Sequence, residues 1–198
     1  MGNQQSTGIP FNLVSGPASV FFTNDYQLVQ FLNASAAYTK AGLQPFVPLI
    51  VDLVLCRAVD NFLAYISDLL TMVYKTTPAG RKPDNFPRGL SKQDAYLKER
   101  VKFALFENSA AVEQAARIIE TRNLFTHNRG IISTHFVKQV PGFAGHVGQT
   151  IQVPIPAGAE DLVFLQKSVQ DIDFRATRKF NLPKPFPLFG RTPATPPR

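Results

Sequence analysis

The chain has 198 residues, of which 44% are hydrophobic and 11% aromatic, so it is long enough and apolar enough to fold around its own core. A single cysteine, Cys56, excludes an internal disulfide framework, and the three histidines leave little material for a metal site. Neither GxGxxG nor GxxxxGK[ST] occurs, which argues against the usual dinucleotide- and ATP-binding loops. We therefore expect neither a metal nor an organic cofactor.

The positive charge is concentrated at the C-terminal end. Of a formal net charge of +7, six charges lie in residues 174–198, which contain no acid. A smaller basic cluster lies between Lys75 and Lys102, where eight lysines and arginines accompany three acids. Such patches attract phosphate backbones. The alternative is an ordinary solvated surface.

The sequence predicts a soluble, cytoplasmic protein without a membrane partner. Its first 39 residues contain no Lys or Arg, so the basic region that opens a secretory signal is missing. Four charged residues interrupt the most apolar segment, residues 46–74, which is therefore a poor candidate for a membrane span.

The spacing of apolar residues predicts an all-α fold, a bundle of four or five helices. The first helix is expected over residues 24–40, with Asn24 as its N-cap and Gly42 at its end. A long core-facing helix is expected over 48–74. A third is expected over 92–127, with Ser91 as its N-cap and a break near Glu107-Asn108-Ser109.

The chain is then expected to turn at Asn128-Arg129-Gly130, where Gly or Asn can adopt a left-handed conformation. A short helix capped by Ser133, an extended piece at 150–153 and a last helix over 159–180 follow. These elements divide the chain into a loose, flexible N-terminal segment (1–18), a helical domain (19–180) and a Pro-rich basic tail (181–198).

One segment gathers residues suited to phosphate chemistry. Asn123 and His127 lie one helical turn apart on the same face, and the long side chain of Arg122 can reach toward them. A guanidinium, an amide and an imidazole together can hold a phosphate and move a proton. The alternative is structural: the macrodipole favours a cationic His127 at a helix C-terminus, and Arg122 can pair with an acid such as Glu120.

The run RNLFTHNRGII, residues 122–132, resembles the signature of the HEPN superfamily, in which Arg-Asn is followed after three residues by His. Within it, the RiboL-PSP-HEPN group often continues with Asn, a small turn, Gly and two aliphatic residues, here Asn128 to Ile132. The likeness covers roughly residues 44–180. One departure is Ser133, which stands where relatives often have Asp.

The resemblance implies a metal-independent endoribonuclease, or an inactive relative, that acts as a homodimer with a composite active site at the interface. The RNA 2′-OH would be the nucleophile and a 2′,3′-cyclic phosphate the product. His127 would transfer protons, Arg122 would hold the phosphate, and Asn123 would orient His127 or bind the phosphate. We also expect Asn128, Arg129 and Asp60 to contact the substrate.

Three functions remain open at this point. The first is an RNA-cleaving enzyme, with a bacterial toxin or phage-defence effector as its candidate role and a protein antitoxin or regulator as its partner. The second is a non-catalytic HEPN-like module that binds RNA, a nucleotide or a protein. The third is a structural dimer whose Pro-rich basic tail docks a partner.

Overall fold

The computed structural model describes residues 15–39, 47–78 and 80–183, and these form an all-helical bundle, as predicted, with six α-helices in these ranges instead of the four or five expected. The helices are α1 (Gly16–Thr39), α2 (Val47–Lys75), α3 (Leu90–Arg100), α4 (Ser109–Asn128), α5 (Thr134–Gln139) and α6 (Ile155–Phe180). A 3₁₀ helix, Pro141–His146, follows α5. Within the described ranges, the one extended pairing is an isolated antiparallel bridge between Ile131 and Thr150. The predicted extended piece at 150–153 is therefore no more than this bridge.

Helix α2 is the centre of the bundle and packs against α1, α4 and α6. Its buried residues recur at three- and four-residue steps, including Leu55, Val59, Phe62, Ile66 and Leu69. This spacing places them on one broad stripe of the helix, which is why the sequence pattern predicted it. None of the helices in the described ranges has both the length and the apolarity needed to cross a bilayer.

Helix α1 begins eight residues before the predicted start, and Asn24 is not its cap. Ser15 accepts a hydrogen bond from the Ala18 amide, 3.3 Å away, in the manner of an N-cap residue. The Ser15 amide and hydroxyl in turn both donate to the carboxylate of Asp173 on α6. Asn24 lies inside the helix and donates through Nδ2 to Asn61 Oδ1, at 3.1 Å.

The structure moves both boundaries of the predicted helical domain, 19–180, outward. Residues 16–18, assigned to a loose segment, are helical, and Ala18 is buried. Leu182, assigned to the Pro-rich tail, is buried against the main core. Residues 1–14 and 184–198, and the predicted helix stop at Gly42, lie outside the described residues.

The predicted helix over 92–127 is two helices. Helix α3 begins at Leu90, after Gly89, and no side chain caps it. Ser91, which was predicted to be the N-cap, lies inside the helix. The break is longer than predicted, from Val101 to Asn108, and the Asp94 carboxylate stabilises it by accepting from the Leu105 and Phe106 amides at 2.6 and 3.2 Å. Asn108 then caps α4 by accepting from the Ala111 amide at 2.9 Å.

The later boundaries follow the prediction more closely. Ser133 caps α5, as expected, by accepting from the Phe136 amide at 3.2 Å. The last helix ends at Phe180, as predicted, but begins at Ile155 after Pro154. Proline is well suited to a helix start because the first amides of a helix have no partner within it.

A buried carboxylate links α1 to α6. Asp25 is 3% exposed and accepts a hydrogen bond from the Gln166 side chain. Burial raises the pKa of Asp25, and the hydrogen bond from Gln166 only partly opposes that rise. The folded chain therefore holds this proton more tightly than the unfolded chain, so Asp25 makes the protein less stable as pH rises from about 4, where an unfolded Asp titrates.

Replacing Asp25 with Asn should therefore reduce the loss of stability as pH rises. The amide oxygen of Asn can still accept from Gln166, while the cost of a desolvated charge is removed. Urea unfolding of Asp25→Asn and wild type at several values between pH 4 and 8 should show a stability difference that grows with pH in favour of the variant. Asp68→Asn, which removes an exposed carboxylate from α2, is the matched control for the loss of one negative charge. A difference that stays constant with pH would contradict the argument.

Candidate active site

The motif occupies the last two turns of α4, and two residues in left-handed backbone end that helix. Arg129 has φ 52° and Gly130 has φ 75°. The amides of both residues donate to the carbonyl of Leu124, which ties the turn to the end of the helix. The turn predicted at Asn128-Arg129-Gly130 is therefore present.

Three backbone hydrogen bonds connect this turn to residues 148–151, later in the chain. The Ile151 amide donates to the Gly130 carbonyl at 2.8 Å, and the Ile132 amide donates to the Gln149 carbonyl at 2.9 Å. The Gly148 amide donates to the Ile132 carbonyl at 2.8 Å. The pairing directs the chain into α5, which packs against α4.

A cavity of about 300 Å³ lies between the end of α4 and the start of α5. Two side chains that line it, Leu124 and Phe136, are almost fully buried. The polar residues that line it are Glu120, Asn123, His127, Asn128, Ser133 and His135.

The cavity brings together two of the three predicted catalytic residues, Asn123 and His127. His127 is exposed, so its imidazole is accessible to a ligand. The predicted substrate residue Asn128 also lines the cavity, but its side-chain amide donates to the Ile131 carbonyl and thus holds the turn. Arg129 is exposed in the turn and does not line the cavity.

Arg122, the third predicted catalytic residue, lies on a different face of α4. Its guanidinium forms an ion pair with Asp60 of α2 and donates through Nη1 to Asn123 Oδ1 at 3.1 Å. Its Nε is buried without a hydrogen-bond partner, and the side chain is 21% exposed. Asp60, predicted to contact the substrate, thus approaches the motif from the neighbouring helix, and its partner here is Arg122.

Asn123 connects the ion pair to the cavity. Because its Oδ1 accepts from Arg122, Nδ2 is the atom that its amide can turn toward a ligand. A donor in this position suits a phosphate oxygen or another acceptor.

Sequence reasoning missed two residues of the site. His135 lies outside the motif, and the sequence interpretation includes Glu120 only as a partner for Arg122; both residues line the cavity. No local pattern could have identified His135, because its position depends on how α5 returns to α4. Within the described residues, no three His, Cys, Asp or Glu side chains form a group that could hold a metal ion, so the cavity's imidazoles and carboxylate do not form a metal-ligand cluster.

Cys56 lies close to the motif but is poorly suited to act as a nucleophile. Its Sγ is 4.0 Å from Thr126 Oγ1, on the side of α4 that faces α2. Burial raises the pKa of the thiol, although the contact with Thr126 and the positive charge of Arg122 act in the opposite direction. A raised pKa leaves less of the reactive thiolate at neutral pH.

Comparisons with protein-family models, curated proteins and solved structures give no match to this chain.

The turn at Gly130 can be tested by substitution. Gly130→Ala should lower the free energy of unfolding by about 1–2 kcal/mol, because a Cβ disfavours the left-handed backbone that this position needs. The added Cβ would also lie 3.4 Å from the Phe125 ring and 3.5 Å from Thr150 Cγ2, which is ordinary contact, so backbone strain should dominate. Urea unfolding measures the change.

Gly142→Ala is the matched control. Gly142 lies in the 3₁₀ helix, is exposed, and has open space where its Cβ would stand. Equal stability losses in the two variants would show that the turn at Gly130 has no special conformational requirement.

Proposed function

We propose that the protein is a metal-independent endoribonuclease of the HEPN type that leaves 2′,3′-cyclic phosphate ends, with a composite active site completed in a homodimer. The observation that supports the proposal is the cavity at the end of α4, which is lined by both His127 and Asn123. The guanidinium of Arg122 is joined to the same amide.

The chemistry follows from the groups present. Cleavage of RNA without a metal requires a base to remove the 2′-OH proton and an acid to protonate the departing 5′-oxygen, and imidazole exchanges protons near neutral pH. Asn123 can donate to a phosphate oxygen, and a guanidinium can stabilise the charge that develops on the phosphate. DNA lacks the 2′-OH and should not be cleaved.

The dimer supplies what one cavity lacks. Arg122 does not line the cavity of its own chain, because it is directed to Asp60. Glu120 does line it, and its negative charge opposes a bound phosphate. In a two-fold dimer the second Arg122 would be held by its own Asp60 as well, so the guanidinium that a second copy can bring toward the cavity is that of the exposed Arg129.

An RNA substrate would place the protein in the cytoplasm, and uncontrolled cleavage would make it toxic. A toxin or phage-defence role with a neutralising protein partner is therefore part of this proposal. Expression of wild type, but not of a His127 variant, should then arrest bacterial growth.

The decisive experiment is RNA cleavage by the purified full chain with EDTA present. His127→Ala should reduce the rate by about 10²–10⁴-fold, the usual contribution of a proton-transfer residue. Wild-type products should carry 2′,3′-cyclic phosphate, and a DNA strand of the same sequence should stay intact. His146→Ala is the matched control, because His146 lies in the 3₁₀ helix and does not line the cavity. Cleavage that requires added metal, or that His127→Ala leaves unchanged, would contradict the proposal.

One observation favours the non-catalytic alternative. The guanidinium of Arg122 is already paired with Asp60, as expected of a residue that holds α4 against α2. A module that binds RNA, a nucleotide or a protein through the cavity would need no free guanidinium.

Asp60→Asn separates the two functions. If Arg122 binds phosphate, removing the carboxylate should leave its charge for RNA, so that affinity rises and the dependence of log K on log salt concentration becomes steeper. If Arg122 is only structural, the variant should lose stability while its RNA affinity and salt dependence stay unchanged. Fluorescence anisotropy with a labelled RNA at several salt concentrations, together with urea unfolding, measures both effects. Asp68→Asn on the same helix controls for the change in net charge.

A further inference from the structure

The cavity contains a second imidazole, which the motif does not include. His135 is the second residue of α5 and lines the same cavity as His127, which lies in the last turn of α4. Both histidines are exposed. Among the described residues, neither side chain makes a hydrogen bond, so both imidazole rings are accessible to a ligand.

The backbone fixes the position of His135. Ser133, two residues before it, caps α5, and Phe136, directly after it, is 1% exposed and packs in a small core with Leu124 and Ile132. His135 is therefore anchored on both sides by groups that also define the cavity.

We propose that His135 is the second proton-transfer residue of this site, so that the cavity of one chain carries both the acid and the base for RNA cleavage. This inference rests on the proposed function. It places both imidazoles in one protomer, so the composite site proposed above would not need an imidazole from the second copy.

The proton balance closes within the pair. One imidazole, neutral, accepts the 2′-OH proton as the 2′-oxygen forms its bond to phosphorus. The other, protonated, donates a proton to the 5′-oxygen as the bond between phosphorus and that oxygen breaks. The two rings thereby exchange protonation states, and exchange with water restores them; no electron donor or acceptor is involved.

The first test replaces His135 with Gln and measures cleavage of natural RNA by the full chain. The cleavage rate should fall by about 10²–10⁴-fold. An acid and a base together give a bell-shaped dependence of rate on pH, and the variant should lose the side of that curve that reports the titration of His135. Because His135 is exposed, the variant should keep the circular dichroism spectrum and melting temperature of wild type. Lys138→Gln is the matched control, since it removes a basic side chain from the exposed surface of the same short helix.

The second test assigns the two roles. After the wild-type cleavage site is mapped, an RNA is made with sulfur in place of the 5′-oxygen at that bond. A thiolate departs without needing a proton, so the variant that lacks the acid should recover most of its rate on this substrate, whereas the variant that lacks the base should not. We expect one of His127→Ala and His135→Gln to recover and the other to remain slow.

The third test asks whether both histidines act within one chain. If they do, a mixture of His127→Ala and His135→Gln protomers stays inactive, because every cavity lacks one histidine. If they act across a dimer, half of the sites in a mixed dimer contain both, and activity returns.

The outcomes separate the two proposals. An inactive wild type overturns both the proposed function and this inference. An active wild type with an active His135→Gln variant, or activity restored by mixing, overturns this inference alone.

Discussion

The site depends on the point at which α4 ends. Two successive left-handed residues, Arg129 and Gly130, stop the helix and turn the chain, and the backbone hydrogen bonds that join Gly130 and Ile132 with residues 148–151 fix its new direction. The change of direction returns α5 to the end of α4 and creates the cavity. If α4 were longer, the start of α5 would lie farther from His127, and no cavity would form between them.

This region has its own small core, separate from the main one. Leu124, Ile132, Phe136 and Ile151 form a cluster beneath the cavity, while the main core is organised around α2. Phe125 packs against both clusters and links them. The floor of the cavity is thus supported by apolar contacts, while its polar wall faces solvent and is available for binding.

Helix geometry explains how the motif is divided between two neighbours. Successive residues are about 100° apart around an α-helix, so Arg122 and His127 project roughly 140° apart. Arg122 consequently lies toward α2, where it pairs with Asp60, and His127 lies toward α5, where it lines the cavity. The sequence interpretation, in which Arg122 reaches around to the same spot as His127, is replaced by one in which Asn123 is the link.

What could be predicted from the sequence was local. The stripe of α2, the cap at Ser133 and the turn at Gly130 depend on neighbouring residues, and each appears as expected. The start of α1 could not be predicted, since the residue that holds Ser15 is Asp173, 158 positions away. His135 was missed for the same reason: its place in the cavity depends on a backbone pairing between distant segments.

The second imidazole alters what a dimer has to provide. Under the proposal that His127 and His135 act in one cavity, proton transfer needs no imidazole from a second copy. Stabilisation of the phosphate charge still needs a second copy, because the guanidinium of Arg122 faces Asp60 and the acid in the cavity, Glu120, opposes an anion. Under the proposed function, a two-fold partner is therefore needed for a guanidinium outside the ion pair, that of the exposed Arg129, and is not needed for a histidine.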